Sequence, residues 1–404
     1  MTEPALHDTA YSWTRLALTL AIACVGNVGM WAVIVIMPTM QAEFGIDRGA
    51  ASLPYTACMV GFAFGSLLIG RWVDRHGITP VLICTALLMS AGFTLSALSG
   101  SAIAATLFHL AIGFGSAANF GPLIADISHW FLRRRGIAVA ITASGNYIAG
   151  VIWPLILADI QTEQGWRGAY LALALIVPLA VIPLSFALRR RVSEEASNRA
   201  DSAAALRRTA SGLSPRALQV FLILAGFACC MAMAMPQVHI VALCADRGYG
   251  PAVGAQMLSL MLLGGVASRL ISGLLADRLG GVRTLLIGSV LQCIGLVLFF
   301  NAGGITSLYV ISLIFGLSQG GIVPSYSIIV REYMPAREAG ARVGYVTTAT
   351  IVGMAVGGWV SGWIYDASGA YDLAFLNGIG WNLLNIGIVG MLLWTSLRRP
   401  VIRA

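Results

Sequence analysis

Residues 268–281 read "SRLISGLLADRLGG" and follow the run "MLSLMLLGGVA" at 257–267. One arginine, Arg269, interrupts a stretch otherwise fit for lipid, eight residues before its first acidic group, Asp277. At 1.5 Å per helical residue, that places the charge about 12 Å in from the Asp277 end. An arginine near the centre of a span costs roughly 2.5–3.5 kcal/mol on insertion scales, so a retained one has a use. Snorkelling to the interface is the alternative, and this depth is marginal for it.

The rest of the chain makes the lipid reading general. Of its 404 residues, 58% are hydrophobic and 10% charged, too apolar for an ordinary soluble core. Apolar segments of spanning length recur twelve times, from 14–40 to 372–397, which predicts an all-α integral membrane protein. The first segment exceeds a signal h-region in length and has no Arg or Lys before Arg15, so it reads as a retained helix.

The net charge of +8 comes entirely from arginine. With both termini on one side, only Arg48, Arg167 and Arg247 fall opposite and Arg269 lies within a span; the other 21 of 25 gather together. This bias predicts an inner (plasma) membrane protein with cytoplasmic termini, and arginines in short loops argue against nucleic acid. The seven cysteines lie in or beside spans without metal-ligand spacing and read as packing residues, so no cofactor or metal is expected.

The halves repeat each other. "GRWVDRHGITPVLI" at 70–83 corresponds to "GLLADRLGGVRTLL" at 273–286, which puts Asp74 and Asp277 203 positions apart. "GFGSAANFGP" from Gly113 corresponds at the same offset to "GLSQGGIVP" from Gly316. Two six-helix bundles, 1–188 and 217–404, joined by a polar cytoplasmic loop at 189–216, account for this economically. Such repeats mark secondary transporters with a site at the repeat interface.

With this repeat and the loop motif, the chain resembles the major facilitator superfamily over its whole length. "GLLADRLGG" is similar to the superfamily's loop signature, while "GRWVDRHGI" departs at Trp72 and Ile78. The resemblance implies that Asp74 and Asp277, with Arg75 and Arg278, latch the bundles in the outward-facing state, with Asp126 joining the first latch. An ordinary solvated turn is the alternative.

"ASRLISGLLAD" at 267–277, "GFGSAANFGP" and "WFLRRRGIAVA" at 130–140 resemble the monocarboxylate porter branch and the related oxalate/formate antiporters. There, an arginine at the place of Arg269 pairs with the substrate carboxylate, a role that suits a permanently charged planar fork of donors. Two departures matter: Gly265 stands where mammalian-type porters carry an acid, and Thr350 where dicarboxylate relatives carry a lysine. One fixed charge favours a cargo with one carboxylate.

In the superfamily the first, fourth, seventh and tenth spans line the pore. That implies contacts from Asn27 and Trp31, which are four apart on one face, from Asn119 and Phe120, and from Tyr326. Asn146, Tyr147 and Trp153 make the fifth span unusually polar and aromatic; interhelical hydrogen bonding is the alternative for each. No carboxylate lies deep in a span to carry a proton, which leaves His109 and His239 as the titratable candidates.

The expected protein is a monomeric carrier of a small organic monocarboxylate, of the lactate or pyruvate type, working by alternating access with protons. A drug or metabolite exporter of the same fold is the nearest rival, although "GNYIAGVIWP" at 145–154 separates the proline from the glycines of an antiporter motif. A membrane enzyme or sensor is remote: "GFGSAANFG" mimics a nucleotide loop but lies inside a span with no strand before it.

Overall fold

The structure, a computed structural model, describes residues 7–131, 134–190, 214–334 and 336–397, and among these it is helical with no strand. The helices are α1 (Ala10–Gly26), α2 (Val28–Phe44), α3 (Arg48–His76), α4 (Ile78–Ala97), α5 (Ala102–Ala117), α6 (Gly121–Ser128) and α7 (Arg135–Phe186). They continue with α8 (Pro215–Asp246), α9 (Pro251–Leu279), α10 (Gly281–Phe300), α11 (Ile305–Gln319), α12 (Ile322–Tyr333), α13 (Ala336–Ser368) and α14 (Asp372–Leu397).

Among the described residues, eleven segments are long and apolar enough to cross a bilayer. One of them is double. At 52 residues α7 would measure about 78 Å, more than twice a hydrocarbon core. Gly165, at φ 70°, breaks it into the expected fifth and sixth spans. Large apolar side chains such as Leu179 and Leu274 are 72% and 68% exposed, which suits lipid and not water as their solvent.

The chain divides into two compact units. Unit 1 comprises Met1–Phe44 and Ala57–Ala204; unit 2 comprises Gly45–Thr56 and Ala205–Ala404. Of the loop expected at 189–216, residues 191–213 lie outside the described residues. Residues 45–56, which the repeat assigns to the first half, group with unit 2.

The repeat is written into the packing. In unit 1 a Cβ on Gly61 would strike the Leu110 carbonyl, and one on Gly113 the Cys58 carbonyl, so α3 and α5 touch backbone to backbone. In unit 2 Gly264 meets the Leu313 carbonyl and Gly316 the Met261 carbonyl, joining α9 to α11 in the same way. All four pairs of equivalents are separated by the offset of 203 found in the sequence. Close approach through glycine is how helices gain packing contact where lipid removes the hydrophobic drive.

The loop motif repeats in conformation too. The glycine three residues after its aspartate, Gly77 in one copy and Gly280 in the other, has φ 86° and 83°, a left-handed turn that other residues rarely adopt. Three spans are broken midway: the first at Asn27, the fourth at 118–120 and the tenth at Gly320–Gly321. Breaks are tolerated in a membrane where side chains satisfy the freed backbone groups. At the first break, Asn27 Nδ2 donates to the Ala23 carbonyl at 2.8 Å.

Candidate functional site

In unit 1 the breaks of the first and fourth spans meet. Asn27, fully buried, donates through Nδ2 to the Asn119 carbonyl at 3.0 Å, and its Oδ1 accepts from Asn146 Nδ2 at 3.4 Å. Trp31 Nε1 donates to the Asn146 carbonyl at 2.9 Å, and its ring lies 6.5 Å from that of Tyr147. Trp153 Nε1 donates to the Cys24 carbonyl at 2.8 Å. Phe120, half-buried, packs 6.3 Å from Phe62. The structure therefore gathers Asn27, Trp31, Asn119, Asn146 and Tyr147 into one neutral belt across α1, α2, the α5–α6 break and α7. Asn119 spends its Nδ2 on the Gly115 carbonyl, while its buried Oδ1 has no hydrogen-bond partner among the described residues. A Cβ on Gly26 would collide with the Asn119 amide, so the belt needs glycine there.

Unit 2 places the charge at its own broken span. Arg269 is 8% exposed and its Nε donates to the Gly320 carbonyl at 3.3 Å, a carbonyl set free by the α11–α12 break. Gly265 and Ser268 press against Gly320, where any side chain would clash. Next to the break, buried Gln319 accepts through Oε1 from Gln237 Nε2 of α8 at 2.8 Å. The Gln319 Nε2 group is buried and has no partner among the described residues. Sequence reasoning passed over both glutamines, although two uncharged amides in apolar spans were a visible signal.

Tyr326 departs from the expectation of a residue facing cargo. It is 1% exposed inside an apolar cluster with Leu222, Leu285 and Val389, and its hydroxyl donates to Asn385 Oδ1 at 2.9 Å. Asn385 in turn donates to Ser289 Oγ at 2.8 Å. With that partner available inside the unit, the phenol ties α12 to α14 and α10.

The ends are secured differently in the two units. In unit 1, Arg15 grips Asp126 with two parallel bonds, 2.9 Å from Nε and 2.8 Å from Nη2, and also donates to the Leu188 carbonyl at 3.1 Å. Asp126 is thus committed inside its own unit. In unit 2, both Glu332 carboxylate oxygens accept from the Gly281 amide at 3.1 Å, capping α10, where the helix dipole favours an anion. Asp74, Arg75, Asp277 and Arg278 are exposed, and neither aspartate has an ion pair within its own unit among the described residues. A cleft of about 570 Å³ beside the first motif is lined by Asp74, His76, Asp126 and Arg189.

The two histidine candidates, His109 and His239, are both buried and both bonded to a tyrosine hydroxyl. His109 Nδ1 donates to the Ala105 carbonyl at 2.7 Å, leaving Nε2 to accept from Tyr170 at 2.8 Å. His239 joins a larger cluster around Arg48. No group of three or more His, Cys, Asp or Glu stands where it can hold a metal ion, among the described residues.

Known proteins resemble this arrangement. The chain is 26% identical to monocarboxylate transporter 13 of Rattus norvegicus, over 78% of this chain and 73% of that one. It is 27% identical to monocarboxylate transporter 11 of Homo sapiens, over 91% and 80%. An agnestins efflux protein of Paecilomyces divaricatus is 26% identical over 84% and 77%. The fold matches the crystal structure of a bacterial homologue of the human lysosomal transporter Spinster, with a TM-score of 0.70, 14% identity and 96% of each chain covered. The sequence model of the Major Facilitator Superfamily matches residues 19–280 and 220–403. With nearly the whole chain matched, and with two glycine-packed helical units carrying one loop motif each, the protein belongs to the Major Facilitator Superfamily of membrane transporters.

Proposed function

We propose that this transporter carries a small organic monocarboxylate by alternating access, coupled to protons, with Arg269 as the anchor for the cargo carboxylate. The observation that carries the reading is a buried guanidinium in the interior of α9, held through Nε by the carbonyl at a helix break. The printed names of two relatives, monocarboxylate transporters, support the same cargo class. Arg269 supplies charge and a planar fork. Asn27, Asn119 and Asn146, of the neutral belt, are the candidate orienting polar groups of unit 1. Phe120, Trp31 and Tyr147 give that belt apolar walls. The paired Asp74–Arg75 and Asp277–Arg278 motifs act as latches between conformations. The arginine bias supports an inner (plasma) membrane location with cytoplasmic termini, and the carrier works as a monomer.

Export of a metabolite is the second reading, favoured by the relative named as an efflux protein. Counterflow of labelled small acids in liposomes tests the cargo without presupposing a direction. Saturable exchange of a monocarboxylate that collapses in Arg269→Gln and partly survives in Arg269→Lys supports the anchor. Equal exchange in wild type and Arg269→Gln removes it, and vesicles loaded on one side then assign the direction.

A further inference from the structure

A second polar cluster of unit 2 lies at the Asp246 end of α8, where the first turns of α3 meet α8 and α13. Asp366 accepts from the backbone amides of Arg48 and Gly49, at 2.8 and 2.6 Å, and so caps the start of α3. The Arg48 guanidinium is paired with Asp246 at 2.9 Å, lies 4.8 Å over the Tyr365 ring and donates to the Tyr371 hydroxyl. Further along, Thr56 donates to the Ala355 carbonyl at 3.0 Å. Residues 45–56 are clamped to unit 2 by these contacts.

The clamp ends on a buried histidine, and its hydrogen bonds have one consistent direction. The Gly358 carbonyl can only accept, so His239 Nε2, 2.7 Å away, carries a hydrogen. Nδ1 is then the acceptor of the neutral ring, and Tyr371 donates to it at 3.3 Å. Burial holds the Tyr371 hydroxyl well above its ordinary range, so it stays protonated and keeps donating. The relay runs from Arg48 to Tyr371, from Tyr371 to His239, and from His239 to the backbone of α13.

With His239 neutral, Arg48 faces both Asp246 and Asp366, so the cluster has one more negative than positive charge. It can accommodate one proton in charge. Its hydrogen bonds would have to be remade. A proton on Nδ1 turns that atom into a donor, so the Tyr371 O–H loses its acceptor while its oxygen faces donors from both His239 and Arg48. The other elements against α8 add little to this balance: α9 approaches through Gly254 and α14 through Gly378. The charged and titratable groups around His239 are Arg48 and Tyr55 on α3, the latter packed on Gly358, Asp246 on α8, and Tyr365, Asp366 and Tyr371 at the α13–α14 corner.

We propose that His239 is the proton site of this transporter, and that protonating it loosens Arg48 from Tyr371 and releases residues 45–56 from α8 and α13. The released arrangement takes the proton more readily than the clamped one, so acid favours release and the effect is lost as pH rises. The segment released includes the first turns of α3, Arg48–His76, up to just past Pro54. This gives a chain without a carboxylate deep in its spans a place for the coupling proton.

Hydrogen exchange of the full chain in lipid nanodiscs, corrected for intrinsic rates, tests this without any cargo. Opening of 45–56 should rise on acidification by up to about tenfold per pH unit, the limit for one proton, while α4 stays level. In His239→Gln, whose amide reproduces the neutral ring's donor and acceptor, opening should be low and independent of pH. In Tyr371→Phe it should be high and independent of pH. A flat profile in wild type, or a retained slope in His239→Gln, overturns the proposal. The inference rests on the proton coupling proposed above, and uptake driven by a proton gradient separates the two. If wild type moves no acid yet 45–56 answers to pH through His239, the transport reading falls and the clamp stands. If wild type and His239→Gln accumulate acid equally, His239 is not the proton site and the transport reading stands.

Discussion

The two units share a scaffold and differ at its centre. Unit 1 closes around neutral amides, with Asn27, Asn119 and Asn146 bonded to one another and to backbone. Unit 2 sets a permanent cation against the break of its own interrupted span, where Gln319 next to the break bonds Gln237. A duplicated fold thus holds its helix contacts constant and varies what lies at the breaks. The contacts are backbone against backbone, where nothing larger than glycine fits. The breaks expose carbonyls that several side chains can satisfy, and chemistry there is free to diverge.

Disturbing the shared part should have the largest effect. Gly316→Leu and Gly113→Leu each drive a side chain into a carbonyl, and each should cost more than about 4 kcal/mol, seen as lost monodisperse protein in detergent. Equal damage in both units confirms a common scaffold; tolerance in one breaks the symmetry. Next comes the pairing peculiar to unit 1. Arg15→Ala strands a largely buried carboxylate and should cost about 3 kcal/mol in thermal stability. Asp126→Asn should cost less, because the remaining amide still accepts hydrogen bonds.

The centre itself is tested by transport. Arg269→Gln should lower kcat/KM for a monocarboxylate about 100-fold, near the upper end for a hydrogen bond to a charged group. Asn119→Ala should lower it about five-fold, as suits one neutral bond. If the two losses are equal, charge does not distinguish the units. The smallest effect is expected at Tyr326→Phe, about 0.6 kcal/mol in stability with exchange kinetics unchanged, since its hydroxyl serves an interhelical bond.

Much of this was legible in the sequence because the informative features were local. A lone arginine in an apolar run is conspicuous, and the loop motif carries its glycine turn with it. The twelve spans were readable from length alone, including the two that Gly165 separates within one helical run. The amide belt was readable as candidates, since polar residues in lipid are few. What escaped depends on partners distant in the chain. Nothing near Asp126 announces Arg15, 111 positions earlier, and nothing near Arg48 announces Asp246 or Tyr371. The setting of Tyr326 was not legible, because its apolar neighbours and Asn385 lie on different helices and its burial follows from packing and not from spacing.

The glycine contacts also limit how the protein can move. Side chains that interlock between helices can change rotamer and let one helix slide past its neighbour. Where Gly61 and Gly113 bring α3 and α5 together, and Gly264 and Gly316 bring α9 and α11 together, there is no rotamer to change. Each pair acts as a splint, because a slide along it would press one backbone into the other. Of the interrupted spans, the one at Gly320–Gly321 is held by the same kind of contact, Gly320 against the Gly265 carbonyl, whereas those at Asn27 and at 118–120 are held by side-chain amides, which can turn.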